Sequence, residues 1–289
     1  MIRTSDSIPK ASADCHAANS QTFEPDRGAG ATPCGTVRRM RIYMGCAVAI
    51  EARSDSEVQA LAATEAAFTA FAAVERAMHP ARPGSDLTAL NAAEPHQAVG
   101  IGPATWDLLR LAQTLGQLTG GVFDPCLPSA RGRISDLELA AEGRVIVHAP
   151  VALDLGGIAK GHAVDRAVAA LETGGCHAGL VNAGGDLRVF GPLAHEILLR
   201  GRDRGLQPLT LREAAIGVSD ADGTAAPREH RGYYVRAGAP ALVSRYAAVV
   251  ASEAVLADAL TKCVLLCPRE RTNAVLAHFG ATLAARTGA

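Results

Sequence analysis

The stretch Leu153-Asp154-Leu155-Gly156-Gly157-Ile158-Ala159-Lys160-Gly161 joins an apolar run, an acid and two glycines to a segment with an early lysine. It predicts a strand-to-helix turn, followed by a helix from about Ile158 to Leu171. Glycines at a helix start let a ligand approach the backbone, whose free N–H groups attract anions, and Lys160 adds a positive charge. The stretch therefore suits a phosphate or pyrophosphate group, although its spacing is neither that of the Walker nor of the Rossmann motif. A tight turn with a solvated lysine explains the same residues without a ligand.

A second glycine turn and two further acids also stand out. The segment Asn182-Ala183-Gly184-Gly185-Asp186 is typical of a hairpin or strand-end turn. In Gly121-Val122-Phe123-Asp124-Pro125 an acid and an aromatic ring follow a predicted helix, which a simple turn also explains. Asp258 lies in an apolar helical run, where an acid is costly unless it is paired or binds a cation. Lys262 follows four residues later, so an i,i+4 ion pair is the alternative to a bound cation.

Helical and strand patterns alternate irregularly along the chain. The predicted strands are Ile42 to Ala52, Gly179 to Asn182 and Glu196 to Arg200. The predicted helices begin at the Ser54-x-x-Glu57 capping box, at Pro103, near Ile158 and after Ser252. Residues 202–247 show strand fragments without a clear order. The irregular alternation favours an α+β fold over a doubly wound sheet, in a single domain over residues 41–289.

Residues 1–40 precede this domain. They are rich in Ser, Ala, Pro and Gly and lack a hydrophobic period, which predicts a disordered N-terminal tail. Arg38-Arg39 stands before a short apolar run that ends at Glu51, and a first strand explains this run better than an export signal. The seven cysteines form no CxxC pair and are odd in number, which predicts a reducing, cytoplasmic location without a disulfide framework.

Charge and hydropathy exclude several classes of protein. Lys and Arg number 28 against 29 Asp and Glu, for a net charge of -1, so no basic field is available for nucleic acid. No apolar stretch reaches the length of about 18 residues that a membrane span requires. The nine histidines form no HxH or HExxH pair, which argues against zinc.

Six segments, taken in order, resemble the FAD:protein FMN transferases, the ApbE-like family. They are Met44-Gly45, Gly84-Ser85-Asp86-Leu87-Thr88-Ala89-Leu90-Asn91, Gly121-Val122-Phe123-Asp124-Pro125, Asp154-Leu155-Gly156-Gly157-Ile158-Ala159-Lys160-Gly161, Asn182-Ala183-Gly184-Gly185-Asp186 and Ala257-Asp258-Ala259-Leu260-Thr261. The resemblance extends from about Arg41 to Gly280. Each segment alone is common, but all six in the family order are specific. Together they favour a ligand-binding role over the simple turns.

The resemblance implies a single α+β domain that binds FAD in a groove. The activity it implies is magnesium-dependent transfer of FMN from FAD to a threonine hydroxyl of a partner flavoprotein, with release of AMP. Two alternatives stay open. The first is an FAD pyrophosphatase of the same fold, and the second is a non-catalytic flavin-binding paralogue.

The resemblance also implies a set of site residues. The expected FAD contacts are Met44, Val122, Phe123, Asp124, Asp154, Lys160 and Thr261. Magnesium is expected at the carboxylate of Asp258 and at the backbone oxygen of Gly157. A magnesium ion and a lysine would neutralise the charge that builds on phosphate oxygens during displacement at phosphorus.

Two positions depart from the family pattern. Lys262 stands where the family often has a threonine metal ligand, and a lysine there could pair with Asp258 or supply part of the metal's charge. The stretch from His230 to Pro240 keeps the family's Gly-x-Pro turn but lacks its Asp-Pro. The sequence therefore assigns no general base, and the catalytic residue is unknown at this stage.

Overall fold

A seven-stranded sheet and the helices packed on it form the framework of the protein. The computed structural model describes residues 35–140, 143–200, 205–221, 235–236, 239–240 and 244–287. The strands are β1 (Thr36–Tyr43), β2 (Cys46–Arg53), β3 (Gln97–Gly100), β4 (Leu137–Ala140), β5 (Arg144–Val147), β6 (Ala178–Ala183), β7 (Asp186–Phe190), β8 (His195–Arg200), β9 (Leu206–Leu211), β10 (Ala215–Asp220), β11 (Val235–Arg236), β12 (Ala239–Pro240), β13 (Tyr246–Ala251) and β14 (Thr282–Thr287). The α-helices are α1 (Glu57–Met78), α2 (Asp86–Asn91), α3 (Pro103–Thr119), α4 (Ala159–Thr173), α5 (Ala254–Leu266) and α6 (Arg269–His278).

The main sheet is antiparallel and is covered on both faces. Its strand order is β1-β2-β6-β7-β10-β13-β14. Helix α4 packs against both α1 and α5, and all three pack against the sheet, whereas the β8–β9 hairpin adds its apolar side chains to a second cluster. Successive residues of β6 point to opposite faces of the sheet. Val181 packs in the core cluster under the helices, and Leu180 packs in the second cluster with Ile197 of β8. This arrangement confirms the predicted α+β class.

The predicted strand from Ile42 to Ala52 is in fact a hairpin. Strands β1 and β2 pair in register from Thr36↔Arg53 to Tyr43↔Cys46, and Met44 and Gly45 form the connecting turn. Both turn residues have positive φ, 49° and 72°, which is the conformation that two-residue hairpin loops favour. The sequence does not predict this turn for two reasons. The residues on both sides of it are apolar, and Met is an uncommon residue at positive φ.

The boundary of the predicted tail at residue 40 is also wrong, because β1 begins at Thr36. Most of β1 faces solvent. Because of its arginines, the strand lacks the alternation of apolar and polar residues that would indicate a strand in the sequence. Arg38 nevertheless has a structural role, since its side chain pairs with the buried carboxylate of Glu51 at 2.7 Å. Residues 1–34, to which the prediction of a disordered tail still applies, lie outside the described residues.

Removal of residues 1–38 is expected to lower the free energy of unfolding by about 2 kcal/mol, the value of one well-buried aliphatic side chain. This deletion takes away Val37, which is 3% exposed, and the Arg38 partner of Glu51. Removal of residues 1–34 alone should leave stability unchanged, because their sequence lacks a hydrophobic pattern. Urea denaturation of both variants checks this prediction. Equal stability of the two would show that the start of β1 contributes nothing.

The predicted helices agree with the structure except at one cap, whereas the short helix α2 was not predicted. Helices α3, α4 and α5 begin and end close to the predicted residues, and Gly120, with φ of 63°, ends α3. Helix α1 is capped by Ser56 and not by Ser54, because the Ser56 hydroxyl accepts the Gln59 N–H at 3.2 Å. Ser54 is buried and its N–H donates to the Gly35 carbonyl, which keeps it outside the helix. Within the described ranges, no helix is long and apolar enough to cross a bilayer.

Candidate active site

The glycine turn before α4 is held in place by its own side chains and backbone. The carboxylate of Asp154 accepts the Gly156 N–H at 2.7 Å. Leu155 and Ile158 are buried, and the Ile158 N–H donates to the Leu155 carbonyl at 2.9 Å. No side chain of the turn caps α4. The predicted turn into α4 is therefore confirmed, with Asp154 as a residue that shapes it, but in the described part of the chain no regular strand precedes it, since Leu153 forms only an isolated bridge with Cys126.

Asp258 of α5 reaches across to the first turn of α4. Its side chain is fully buried, and Oδ2 accepts the Gly161 N–H at 3.0 Å. Helices α4 and α5 are very close here, because a Cβ built on Gly161 would overlap the Ala254 carbonyl and lie 2.8 Å from the Asp258 Cβ. A carboxylate that accepts an N–H at a helix start is stabilised by the helix dipole. Asp258 thus replaces the missing local cap of α4.

Lys262 contacts the other oxygen of the same carboxylate. It lies one turn after Asp258 on α5, and its ammonium pairs with Oδ1. The side chain is 13% exposed. A Cβ built on Gly157 would lie 3.7 Å from the Lys262 Cε, so the lysine stem passes along the glycine turn. The i,i+4 ion pair that the spacing allows is therefore present.

A second lysine and acid pair lies beside the first. The ammonium of Lys160, in the first turn of α4, is 2.5 Å from Oδ2 of Asp186, the first residue of β7. Asp186 is buried, whereas the Lys160 side chain is 27% exposed. The second carboxylate oxygen of Asp186, Oδ1, accepts no hydrogen bond from the residues that the structure describes. Asp186 lies within one of the glycine motifs, but its sequence context alone indicates no role for it.

The charges of these four residues act on one another. Burial by itself lowers the pKa of Lys160, but the neighbouring carboxylates of Asp186 and Asp258 outweigh burial and raise that pKa above its ordinary value. Burial and the neighbouring Asp258 raise the pKa of Asp186 above its ordinary value, and Lys160 and Lys262 oppose this rise. The four residues therefore form a compact cluster of two ammonium groups and two carboxylates, here called the lysine–aspartate cluster.

The hairpin turn at Met44 lies at the same end of the sheet. Val48 of β2 pairs with Ala183 of β6, which brings the start of β2 next to the turn after β6. A Cβ built on Gly184 would lie 3.1 Å from the Cys46 Cβ. Met44 itself donates its N–H to Glu75 of α1 at 2.8 Å. The structure thus brings together three segments of the resemblance, namely Met44-Gly45, residues 154–161 and residues 182–186.

The segment after α3 also adjoins the glycine turn. The Asp154 N–H donates to the Pro125 carbonyl at 2.9 Å. Phe123 is buried in the core, with Val122 packed against it as a half-buried neighbour. Asp124 is occupied within its own loop, where it accepts the Ile134 N–H and pairs with Arg133 at 3.0 Å. This segment therefore supports the glycine turn in the described structure.

Thr261 lies deeper than its predicted role requires. It is fully buried, and its hydroxyl donates to the Asp258 carbonyl at 2.7 Å. The Ser219 hydroxyl lies 2.7 Å from the Thr261 hydroxyl. Contact of Thr261 with FAD stays a prediction, and so do the FAD contacts of the other residues that the resemblance names.

The expected magnesium ligands do not fit a magnesium ion in this arrangement. Lys262 contacts the Asp258 carboxylate and passes near Gly157, and both carboxylate oxygens of Asp258 already have partners. Among the described residues, no group of three or more His, Cys, Asp or Glu is placed to hold a metal. The stretch from His230 to Pro240, which keeps the family's Gly-x-Pro turn without its Asp-Pro, falls mainly outside the described residues.

Comparisons with known proteins agree with this architecture. The sequence model that represents the ApbE family matches residues 44–132 and 128–286 of this chain. A flavinyl transferase ApbE from Pseudomonas stutzeri is 17% identical, with a TM-score of 0.71 over 88% of this chain and 92% of that one. An ApbE protein from Thermotoga maritima is 23% identical, with a TM-score of 0.70 over 86% and 93% of the two chains. A flavin transferase ApbE from Vibrio cholerae is 19% identical, with a TM-score of 0.68 over 87% and 93%. No curated protein matches the chain.

Proposed function

The chain belongs to the ApbE family, and we propose on this premise that it transfers the FMN half of FAD to a threonine hydroxyl of a partner flavoprotein and releases AMP. The observation that carries the proposal is the lysine–aspartate cluster beside the glycine turn. Two ammonium groups stand beside this turn. A pyrophosphate carries negative charge that such ammonium groups bind.

The reaction is a displacement at the phosphorus of the FMN half. The threonine oxygen bonds to that phosphorus, and the bond from phosphorus to the bridging oxygen breaks. The electron pair stays on AMP, and the proton of the hydroxyl is released to water. Negative charge builds on the phosphate oxygens as this happens, and the Lys160 ammonium is suited to neutralise it. Its raised pKa, which two carboxylates maintain against burial, keeps this lysine charged.

The predicted FAD contacts are part of this proposal. Met44, Lys160 and the turn at Asp154 lie at one end of the sheet, and Val122, Phe123 and Asp124 adjoin them through Pro125. Thr261 would support the site through the hydrogen bond from its hydroxyl to the Asp258 carbonyl. Magnesium dependence, which the resemblance implies through Asp258 and Gly157, receives no support from the contacts of these two residues.

The decisive experiment uses an acceptor flavoprotein with a candidate threonine. The protein is incubated with FAD and this acceptor, with and without magnesium, and intact-mass spectrometry looks for a gain equal to FMN. The matched control is the acceptor with that threonine changed to alanine. AMP release without any gain in acceptor mass would instead favour an FAD pyrophosphatase. If neither AMP nor a gain in acceptor mass is observed, the result favours a non-catalytic flavin-binding protein.

FAD is expected to bind about 10- to 100-fold more tightly than riboflavin, the range for hydrogen bonds to charged groups. The reason is that riboflavin lacks the phosphates to which Lys160 and the glycine turn are suited. FMN, with one phosphate, should bind less tightly than FAD. Titration by flavin fluorescence measures the three affinities. Equal affinity for FAD and riboflavin would contradict the assignment of the pyrophosphate to this turn.

A further inference from the structure

We propose that the Lys262 ammonium is the resident cation of this site, and that the protein acts on the FAD pyrophosphate without a magnesium ion at Asp258. This inference rests on the proposed function for its substrate. It adds a specific role for a residue that departs from the family pattern.

The contacts of Asp258 are the first support. One of its oxygens accepts the Gly161 N–H at 3.0 Å, and the other contacts the Lys262 ammonium. A divalent ion on this carboxylate would have to share it with a positive charge one helical turn away. Two cations at such a distance repel strongly in a buried site. Occupation of Asp258 by Lys262 therefore opposes metal binding there.

The path of the Lys262 side chain is the second support. Its stem lies against Gly157, and its head group lies on Asp258. These two residues are the expected ligands of the metal, and the lysine occupies the carboxylate oxygen of Asp258 that Gly161 leaves free while it passes close to Gly157. With 13% of its side chain exposed, Lys262 is largely buried but not sealed from a bound anion. An ammonium has three donors, of which Asp258 takes one, so further donors stay available for phosphate oxygens.

The symmetry of the charges is the third support. Lys160 is matched by Asp186, and Lys262 is matched by Asp258. Each acid is fully buried, whereas each lysine side chain is partly exposed. The carboxylates thus hold two ammonium groups in place next to the glycine turn. Lysine is a common phosphate ligand in proteins, where it acts as a point charge.

The inference predicts how the protein responds to chelator. FAD binding and AMP release by the unaltered protein should be the same with EDTA and with magnesium. Lys262→Met should weaken FAD binding about tenfold or more, and magnesium should not restore it. Lys262→Arg, which keeps the charge, should retain most of the affinity. Lys262→Thr should make FAD binding dependent on added magnesium, because the threonine hydroxyl adds beside the freed Asp258 carboxylate an oxygen ligand that methionine lacks.

Two further variants separate binding from folding. Lys262→Met leaves a buried carboxylate unpaired, so the double variant Lys262→Met/Asp258→Asn removes both charges and should fold while still binding FAD weakly. The matched control is Arg110→Met on α3, which removes a helical cation paired with an acid one turn earlier, at Asp107, on an exposed surface. This control should leave FAD affinity unchanged. Thermal melting of every variant reports folding.

The possible results keep this inference apart from the proposed function. Transfer of FMN that is lost in EDTA and restored by magnesium would overturn the inference and uphold the function. FAD affinity that is unchanged in Lys262→Met would also overturn the inference. FAD binding that ignores chelator and depends on Lys262, without FMN transfer or AMP release, would uphold the resident cation and contradict the function.

Discussion

Replacement of Lys160 by methionine is expected to lower the free energy of unfolding by about 3 kcal/mol, near the low end for breaking a buried ion pair. The change leaves the buried carboxylate of Asp186 without its partner at 2.5 Å. The low end applies because 27% of the Lys160 side chain is exposed, so water screens part of the interaction. The same change should weaken FAD binding about tenfold or more, because it removes a charged phosphate donor.

A second variant separates these two effects. In Lys160→Met/Asp186→Asn the unpaired charge is gone, so much of the lost stability should return while FAD binding stays weak. Thermal melting and flavin titration of both single variants and the double variant complete a double-mutant cycle. FAD binding that recovers together with stability would show that Lys160 acts only as a structural partner of Asp186.

Gly161→Ala is expected to destabilise the protein by about 3 kcal/mol, at the upper end for overpacking, or to prevent its accumulation as folded protein. The added Cβ would overlap the Ala254 carbonyl and lie 2.8 Å from the Asp258 Cβ. Backbone cannot move aside as a flexible side chain does, so α4 and α5 would have to separate. Separation would also lengthen the hydrogen bond from the Gly161 N–H to Asp258, now 3.0 Å. FAD binding should therefore fall together with stability.

Gly100→Ala is the matched control for this substitution. Gly100 ends β3, and a Cβ built on it meets nothing within 4 Å. Its stability should stay within about 0.5 kcal/mol of the unaltered protein, as for most surface changes. Circular dichroism melts of the two alanine variants make the comparison. A Gly161→Ala protein as stable as Gly100→Ala would mean that the two helices are not held at this distance.

The amino-acid sequence by itself determined the helices and the chemistry available to the site. Pro103 and Gly120 start and stop α3, and their effects on backbone dihedrals are local. The two-residue turn at Met44 was not predictable in the same way, because only the pairing of β1 with β2 imposes positive φ on that methionine. Strand β9 was not predicted, because its mostly exposed residues show no clear alternation of apolar and polar side chains.

Only the tertiary structure decided which residues are partners. Lys160 and Asp186 are 26 residues apart in the chain, and Gly161 and Asp258 are 97 apart. For Asp258 the sequence allowed either Lys262 or a metal ion as the partner, since both satisfy the charge of an acid in an apolar helix. The close approach of α4 to α5 placed the Gly161 N–H on one carboxylate oxygen. The Lys262 ammonium reaches the other oxygen, because the lysine lies one turn after Asp258 on the same helix.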